Sequence, residues 1–196
     1  MAEKKVSNAN NFFPVLEKYE GSELKVEDRG LEKYMNLDTE NIYLGGKFAN
    51  KMFAKSKLPI VERIINNNKR TQKYNGKKIK SYKVVRDAFE IIDKKTKTNP
   101  MQVLINALQN AAPKEETTRL RFGGISVPKA VDVAPQRRLD IAIRNIATGS
   151  VNATKKNKKR MEQCLADEII KASKNDVESF SVGKKNDIER IAKSAR

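Results

Sequence analysis

After position 47, apolar residues recur at three- and four-residue intervals over most of the chain, a pattern that predicts helices. In residues 47–66, Phe48, Met52 and Phe53 form one apolar stripe, and Pro59 opens a second helix through Ile60, Val61, Ile64 and Ile65. Residues 77–95 keep Val84, Val85, Ala88, Ile91 and Ile92 on one side. Asn99 suits a helix cap and Pro100 the first helical position; Met101, Leu104, Ile105, Leu108 and Ala112 follow as the buried stripe, and Pro113 closes it. Leu139, Ala142, Ile143 and Ile146 line a further helix that is expected to end near Gly149. Met161, Leu165, Ile169 and Ala172 line the next, and Ile188, Ile191 and Ala192 suggest a short last one.

One stretch departs from this period. In residues 117–138, Thr118, Leu120 and Phe122 alternate with Arg119 and Arg121, as in a strand with one wet, basic face. Gly123-Gly124 accepts the positive φ angles of a two-residue hairpin turn. Residues 125–133 return as a second strand, with Pro128 restricting it to an edge. Pro135 then opens a helix carrying Arg137 and Arg138 in its first turn, where cations oppose the helix dipole and a nearby polyanion would offset the cost. Two strands alone rarely make a stable sheet, so the hairpin reads as a projecting finger. The predicted fold class is mainly α: a bundle of about six helices, a projecting two-stranded β-hairpin and an extended N-terminal segment.

The first 46 residues lack helical periodicity. Residues 1–20 are polar and read as disordered in isolation; residues 21–46, with a Gly45-Gly46 break, suggest extended wrapping or a short strand. The predicted division is therefore 1–46 as an extension, partly disordered when free, and 47–196 as a helical domain with its hairpin at 117–133. On this reading the extension is dispensable for folding.

Charge adds a partner to this outline. The 41 Lys+Arg against 24 Asp+Glu give a net charge of +17, which repels itself unless a polyanion neutralises it. Its distribution is uneven: net −3 over residues 1–46 and +12 over 47–100. Nucleic acid is the natural partner and an anionic membrane the competing one, although no run is apolar enough to span a bilayer. Zero histidines and one cysteine remove the commonest general base and any Cys-based zinc site, and argue against an enzyme. A magnesium nuclease would need a convergent acidic cluster, which the sequence does not offer.

Candidate contacts follow from the cations. Taken alone, Arg119, Arg121, Arg137 and Arg138 suit a solvated strand face and a helix surface. Lys69 and Arg70 lie on a polar loop, and Lys77, Lys78, Lys80 and Lys83 crowd the first turns of the next helix. Lys83 with Asp87, Arg86 with Glu90 and Glu90 with Lys94 are spaced as i,i+4 pairs, whereas Lys77, Lys78 and Lys80 have no local acidic partner. Cys164 reads as a small core residue, and Asp167-Glu168 as surface charges without partners. Asn75 to Lys78 lacks the glycine spacing of a phosphate loop.

The order Arg-x-Gly-Gly, Val-Pro, Val, Pro-x-Arg-Arg resembles the small-subunit ribosomal protein S-seven family. The similarity runs from about Pro59 to Arg196 and includes VVRDAFEII, NPMQVL and the terminal IAKSAR. It implies a structural, RNA-binding protein of the cytoplasmic ribosome, without catalytic residues, metal or cofactor. Such proteins bind the 3′ major domain of small-subunit ribosomal RNA, nucleate assembly of the head beside neighbouring head proteins, and face exit-site tRNA and the messenger path. Of the RNA-contact candidates Lys69, Arg70, Lys77, Lys78, Lys80, Arg119, Arg121, Gly123, Gly124, Lys129, Arg137 and Arg138, the resemblance carries Lys77, Lys78, Arg119, Arg121, Gly123, Gly124, Arg137 and Arg138, and charge suggests the rest. Arg190, Lys193 and Arg196 are the candidates facing tRNA and messenger. The alternative is a free-standing nucleoid-type DNA- or RNA-binding protein.

Overall fold

The computed structural model describes residues 14–19, 23–38, 48, 50–70, 74–155 and 157–196. Two single-turn helices, α1 (Pro14–Glu17) and α2 (Arg29–Glu32), precede α3 (Ile60–Asn68), α4 (Lys78–Thr96) and α5 (Pro100–Ala111). The hairpin β1 (Glu115–Phe122) and β2 (Ile125–Asp132) follows, then α6 (Pro135–Thr154), α7 (Met161–Ser173) and α8 (Phe180–Ser194). Among the described residues, six helices of nine residues or more thus match the predicted bundle. Helix α7 lies at its centre, against α4, α5 and α6, and Phe89, Ile92, Leu104, Leu108, Leu165 and Ile169 are fully buried around it.

Local chemistry sets the helix ends. The Asn99 side chain accepts a hydrogen bond from the Met101 N–H at 2.9 Å, and Pro100 fills the first position of α5. Helix α4 stops where Lys97 turns left-handed, at φ 53°. Strands β1 and β2 pair antiparallel from Glu115↔Asp132 to Phe122↔Ile125. Gly123 and Gly124 close the turn at φ 53° and 87°, the doubly left-handed backbone that a two-residue hairpin loop requires. Helix α8 supports the base of the hairpin. Lys114 N–H donates to Glu189 Oε1 at 2.9 Å, and Ala130 N–H to the Ala195 carbonyl at 3.3 Å.

Several expectations are corrected. No helix forms between Asn50 and Leu58: Phe53 is left-handed, a 3₁₀ turn occupies Ala54–Lys57, and Met52 and Phe53 are 85% and 55% exposed. Leu58 precedes a proline and is therefore extended, so α3 begins only at Ile60. Gly149 caps nothing. It lies inside α6, where a Cβ would come within 2.9 Å of the Phe180 Cβ and 3.2 Å of the Glu168 Cδ, so close packing of α6 on α7 and α8 requires glycine. Helix α8 is longer than expected and buries Val182 near its start and Ala192 near its end, while Ile191 stays largely exposed.

Glu168 is not a surface charge. It is buried on α7, and its Oε1 accepts from Ser179 Oγ (2.8 Å), Ser181 N–H (2.9 Å) and Ser181 Oγ (2.8 Å), at the start of α8. A carboxylate there satisfies orphan amides and faces the positive end of the helix dipole. Asp167 is partnered as well, by Lys95 at 2.5 Å. Arg86 pairs with Asp87 at 2.8 Å rather than across a helix turn. Cys164 is buried as expected, and burial pushes its thiol up from the ordinary value.

The described part of the first 46 residues belongs to the core. Val15, Leu16, Leu31 and Met35 are buried in it, and Leu31 is 0% exposed. The extended segment after residue 22 lies across α5, where Lys25 and the Gln102 amide exchange two hydrogen bonds of 2.9 Å. Asn36 bridges to Pro59, and the Asn36 carbonyl accepts the Ile60 N–H at 2.8 Å. Packing thus continues across the expected division at 46/47. Single apolar residues docked onto distant helices leave no period in the sequence. Residues 1–13 and Gly45-Gly46 lie outside the described residues.

Leu31→Ala should cost about 2–5 kcal/mol, read by urea denaturation, and a chain beginning at Lys47 should melt well below the parent. An unchanged melt of the shortened chain would mean that the N-terminal contacts contribute nothing to stability. Glu168→Ala leaves several buried donors without their acceptor and should cost about 2–4 kcal/mol. Hydrogen exchange should rise in α8 before the rest of the bundle.

Candidate nucleic-acid interface

Alternation along the paired strands decides which way the hairpin cations face. Arg119 lies opposite Pro128 and Arg121 opposite Ser126, so both arginines share one face with small or rigid neighbours. Thr118 pairs with Lys129 and Leu120 with Val127 on the other face. Arg119, Arg121 and Lys129 are exposed, and none has an ion pair among the described residues. Gly123 and Gly124 meet no side chain at the tip and serve the turn geometry. The hairpin therefore carries unneutralised guanidinium groups on a ribbon anchored only at its base.

A second basic group forms around the start of α4. Gly76, at φ 70°, returns its N–H to the Lys69 carbonyl at 3.1 Å, which brings Lys69 and Arg70 at the end of α3 beside Lys77. Lys77 and Lys80 are exposed, with the Lys80 Nζ 5.5 Å from the centre of the Tyr74 ring. Lys78, which has no local acidic partner, finds a distant one. Its Nζ lies 2.5 Å from Oε1 of Glu62, a carboxylate that is 0% exposed on α3. The partner is sixteen residues away in sequence, so no local pattern reveals it.

Arg137 and Arg138 also find acids within the chain. Arg137 donates through Nε to Glu116 at 2.7 Å; that hydrogen bond, then the Glu116 charge, raises its pKa further, and it remains exposed. The Arg138 side chain is only 11% exposed, with Nη2 2.7 Å from Asp28 Oδ2 and Nε donating to the Pro113 carbonyl at 3.2 Å. The dipole cost expected at this helix start is thus met inside the protein, where Arg138 is held by Asp28 and the Pro113 carbonyl. Of the C-terminal candidates, Arg196 pairs with Glu115, Arg190 lies 3.2 Å from Asp187, and Lys193 is exposed with no ion pair among the described residues. Lys155, Lys158 and Arg160, in the basic run KKNKKR between α6 and α7, are exposed as well. Among the described residues, no cluster of acids could hold a metal, and no helix is long and apolar enough to cross a membrane.

A family profile for ribosomal protein S7p/S5e matches residues 33–196. The chain belongs to that family. The match extends the resemblance upstream from Pro59 and takes in Met35 and the Phe53 turn. The small ribosomal subunit protein uS7 of Thermoplasma volcanium is 52% identical over 183 residues, covering 93% of this chain and 100% of that protein. The uS7 proteins of Archaeoglobus fulgidus (52%, covering 93% and 94%) and Picrophilus torridus (50%, covering 93% and 98%) are similarly close. Membership makes this a structural, non-enzymatic ribosomal protein, and RNA binding and translation come with the family.

Burial opposes ionisation of Asp28, but the Arg138 hydrogen bond and charge, with the Gly30 and Leu31 N–H groups, outweigh it and hold the carboxyl below its ordinary value of 3.8. A carboxylate with a depressed folded-state pKa stabilises above its unfolded value, and that contribution is lost as pH falls through the folded one. Asp28→Asn should therefore destabilise the protein at pH 7 and flatten the acid limb of its stability below about pH 4. Arg138→Gln should cost about 1–3 kcal/mol at pH 7, with the double variant less than additive. Strict additivity would mean the pair is not coupled.

Proposed function

We propose that this chain is a structural constituent of the small subunit of the cytoplasmic ribosome and binds the 3′ major domain of small-subunit ribosomal RNA. In this reading it nucleates assembly of the subunit head beside neighbouring head proteins. The hairpin and the C-terminal end, with Arg190, Lys193 and Arg196, face exit-site tRNA and the messenger path. The observation that carries the reading is the pair of exposed, unpaired arginines on a ribbon supported only at its base. A guanidinium fork both grips phosphate and stacks on splayed bases, and a two-stranded ribbon reaches into folded RNA where a helix bundle cannot. The names of the archaeal relatives support the small-subunit placement.

The two basic groups have different parts in this reading. Lys69 and Arg70 after α3, with Lys77 and Lys80 at the rigid start of α4, supply sequence-independent attraction to phosphate. Arg119 and Arg121, with Lys129 behind them, supply geometric selection. Lys78 and Arg138 leave the contact set, because each is engaged with a carboxylate of the chain itself. Arg137 contributes through an exposed guanidinium already held by Glu116.

Changing Lys77 and Lys80 to Gln should weaken binding to every folded RNA tested and flatten the salt dependence by up to about 1.5–2 in logarithmic slope. Changing Arg119 and Arg121 to Lys keeps the charge and should leave the slope nearly unaltered. It should nevertheless lower the preference for the 3′ major domain over an unrelated folded RNA. Filter binding across a salt series on both RNAs checks this. Undiminished discrimination by the Arg-to-Lys protein would reduce the hairpin to a source of charge alone.

A further inference from the structure

From residue 47 to residue 61 the chain has four lysines and no acid, with Met52-Phe53 in their midst. These two apolar residues do not enter the core: they are 85% and 55% exposed. Phe53 also sits at φ 59°, ψ 1°, a left-handed backbone that a bulky side chain adopts only when its surroundings impose it. The surroundings here are the turn's own hydrogen bonds. The Phe53 carbonyl accepts from both Ser56 N–H (3.0 Å) and Ser56 Oγ (2.7 Å), and Ala54 N–H donates to the Lys51 carbonyl at 3.2 Å. The turn is fastened to the body through Lys55, which pairs with Asp140, the same carboxylate that Arg63 holds at 2.8 Å. The Tyr34 ring stands 6.5 Å from that of Phe53, tilted by 50°, and backs the aromatic without covering it.

A strained, hydrogen-bonded turn thus holds an exposed ring outward, between two exposed lysines, Lys51 and Lys57, that have no ion pair among the described residues. We infer that the Met52-Phe53 turn is a second RNA-contact site, in which the Phe53 ring stacks on an unpaired base and Lys51 and Lys57 take the flanking phosphates. Every base offers a π face, and an aromatic flanked by cations is the combination that single-stranded nucleic acid recognises. An apolar protein partner would use the ring but leave the surplus of positive charge unanswered. The inference rests on the RNA-binding reading above and adds to it a site in a separate part of the chain from the hairpin.

The chain has no tryptophan, so Phe53→Trp places a single indole at the site. Full-length Phe53→Trp should bind a transcript of the 3′ major domain within about twofold of the parent, and its fluorescence should be quenched as the base stacks on it. Phe53→Leu should bind about tenfold more weakly, within the range of one lost aromatic–base stack, with its salt slope unaltered. Lys51→Gln with Lys57→Gln should lower that slope by about 1–2. Phe53→Gly relieves the left-handed strain and should raise the melting temperature while weakening RNA binding, opposite signs that a merely structural turn would not produce. Parent-like binding by Phe53→Leu, or binding by Phe53→Trp without quenching, overturns this site and leaves the hairpin reading standing. An effect of Phe53→Leu only on subunit assembly, with RNA affinity intact, assigns the ring to a protein neighbour and also overturns it. A parent chain that does not bind the transcript at all overturns both readings.

Discussion

Three separate stretches of the chain meet at the guanidinium of Arg138. Asp28 comes from the extended N-terminal segment, the Pro113 carbonyl from the end of α5, and Arg138 itself from the first turn of α6. Pro113 precedes the hairpin and Arg138 follows it, so this contact ties together the two chain ends from which the ribbon projects. With the Lys114 carbonyl accepting the Val133 N–H at 2.9 Å, it makes the base of the hairpin a closed, rigid collar. A charged group so little exposed persists only when its hydrogen bonds are met on every side. The direction of the ribbon therefore depends on this interaction more than on any contact along its length.

The same economy governs the other acids. Glu62 holds Lys78, Asp140 holds Arg63 and Lys55, Glu116 holds Arg137, and Glu168 caps α8. In a chain with so large a basic excess, the scarce carboxylates at these junctions organise the interior. Arg119, Arg121 and Lys129 on the hairpin, Lys77 and Lys80 at the start of α4, and Lys51 and Lys57 around Phe53 are among the cations turned outward with no ion pair among the described residues. Neutralising them is the part of folding that a polyanion completes.

Helix α8 links the core to the ribbon. Its first turn is locked by Glu168 and by close approach of Phe180 to Gly149, and its last residues lie under the hairpin through Glu189 and Ala195. A two-stranded sheet gains its stability from what it packs on. Loosening the buried end of α8 would therefore be felt at the hairpin base before the bundle itself opens.

What the sequence determined by itself was periodic or local. The stripes of α3 to α7, the Asn99-Pro100 start, the Gly-Gly turn and the alternation of Arg119 and Arg121 all follow from side-chain spacing or backbone preference within a few residues. The hairpin motif also carried the family, which the profile match then established over most of the chain. The tertiary structure decided what depends on distant partners. Leu31 is a core residue only because α6 and its neighbours receive it; Arg138 and Lys78 are internal only because Asp28 and Glu62 arrive beside them. Glu168 is a helix cap, and Gly149 a close contact, only because α8 folds back onto α6 and α7. Met52 and Phe53 have the same apolar character as any core pair, but the left-handed turn at Phe53 stands where a helix would have carried them inward. Spacing along a chain fixes which residues share a face; which faces then meet is settled by burial and ion pairing across the whole fold.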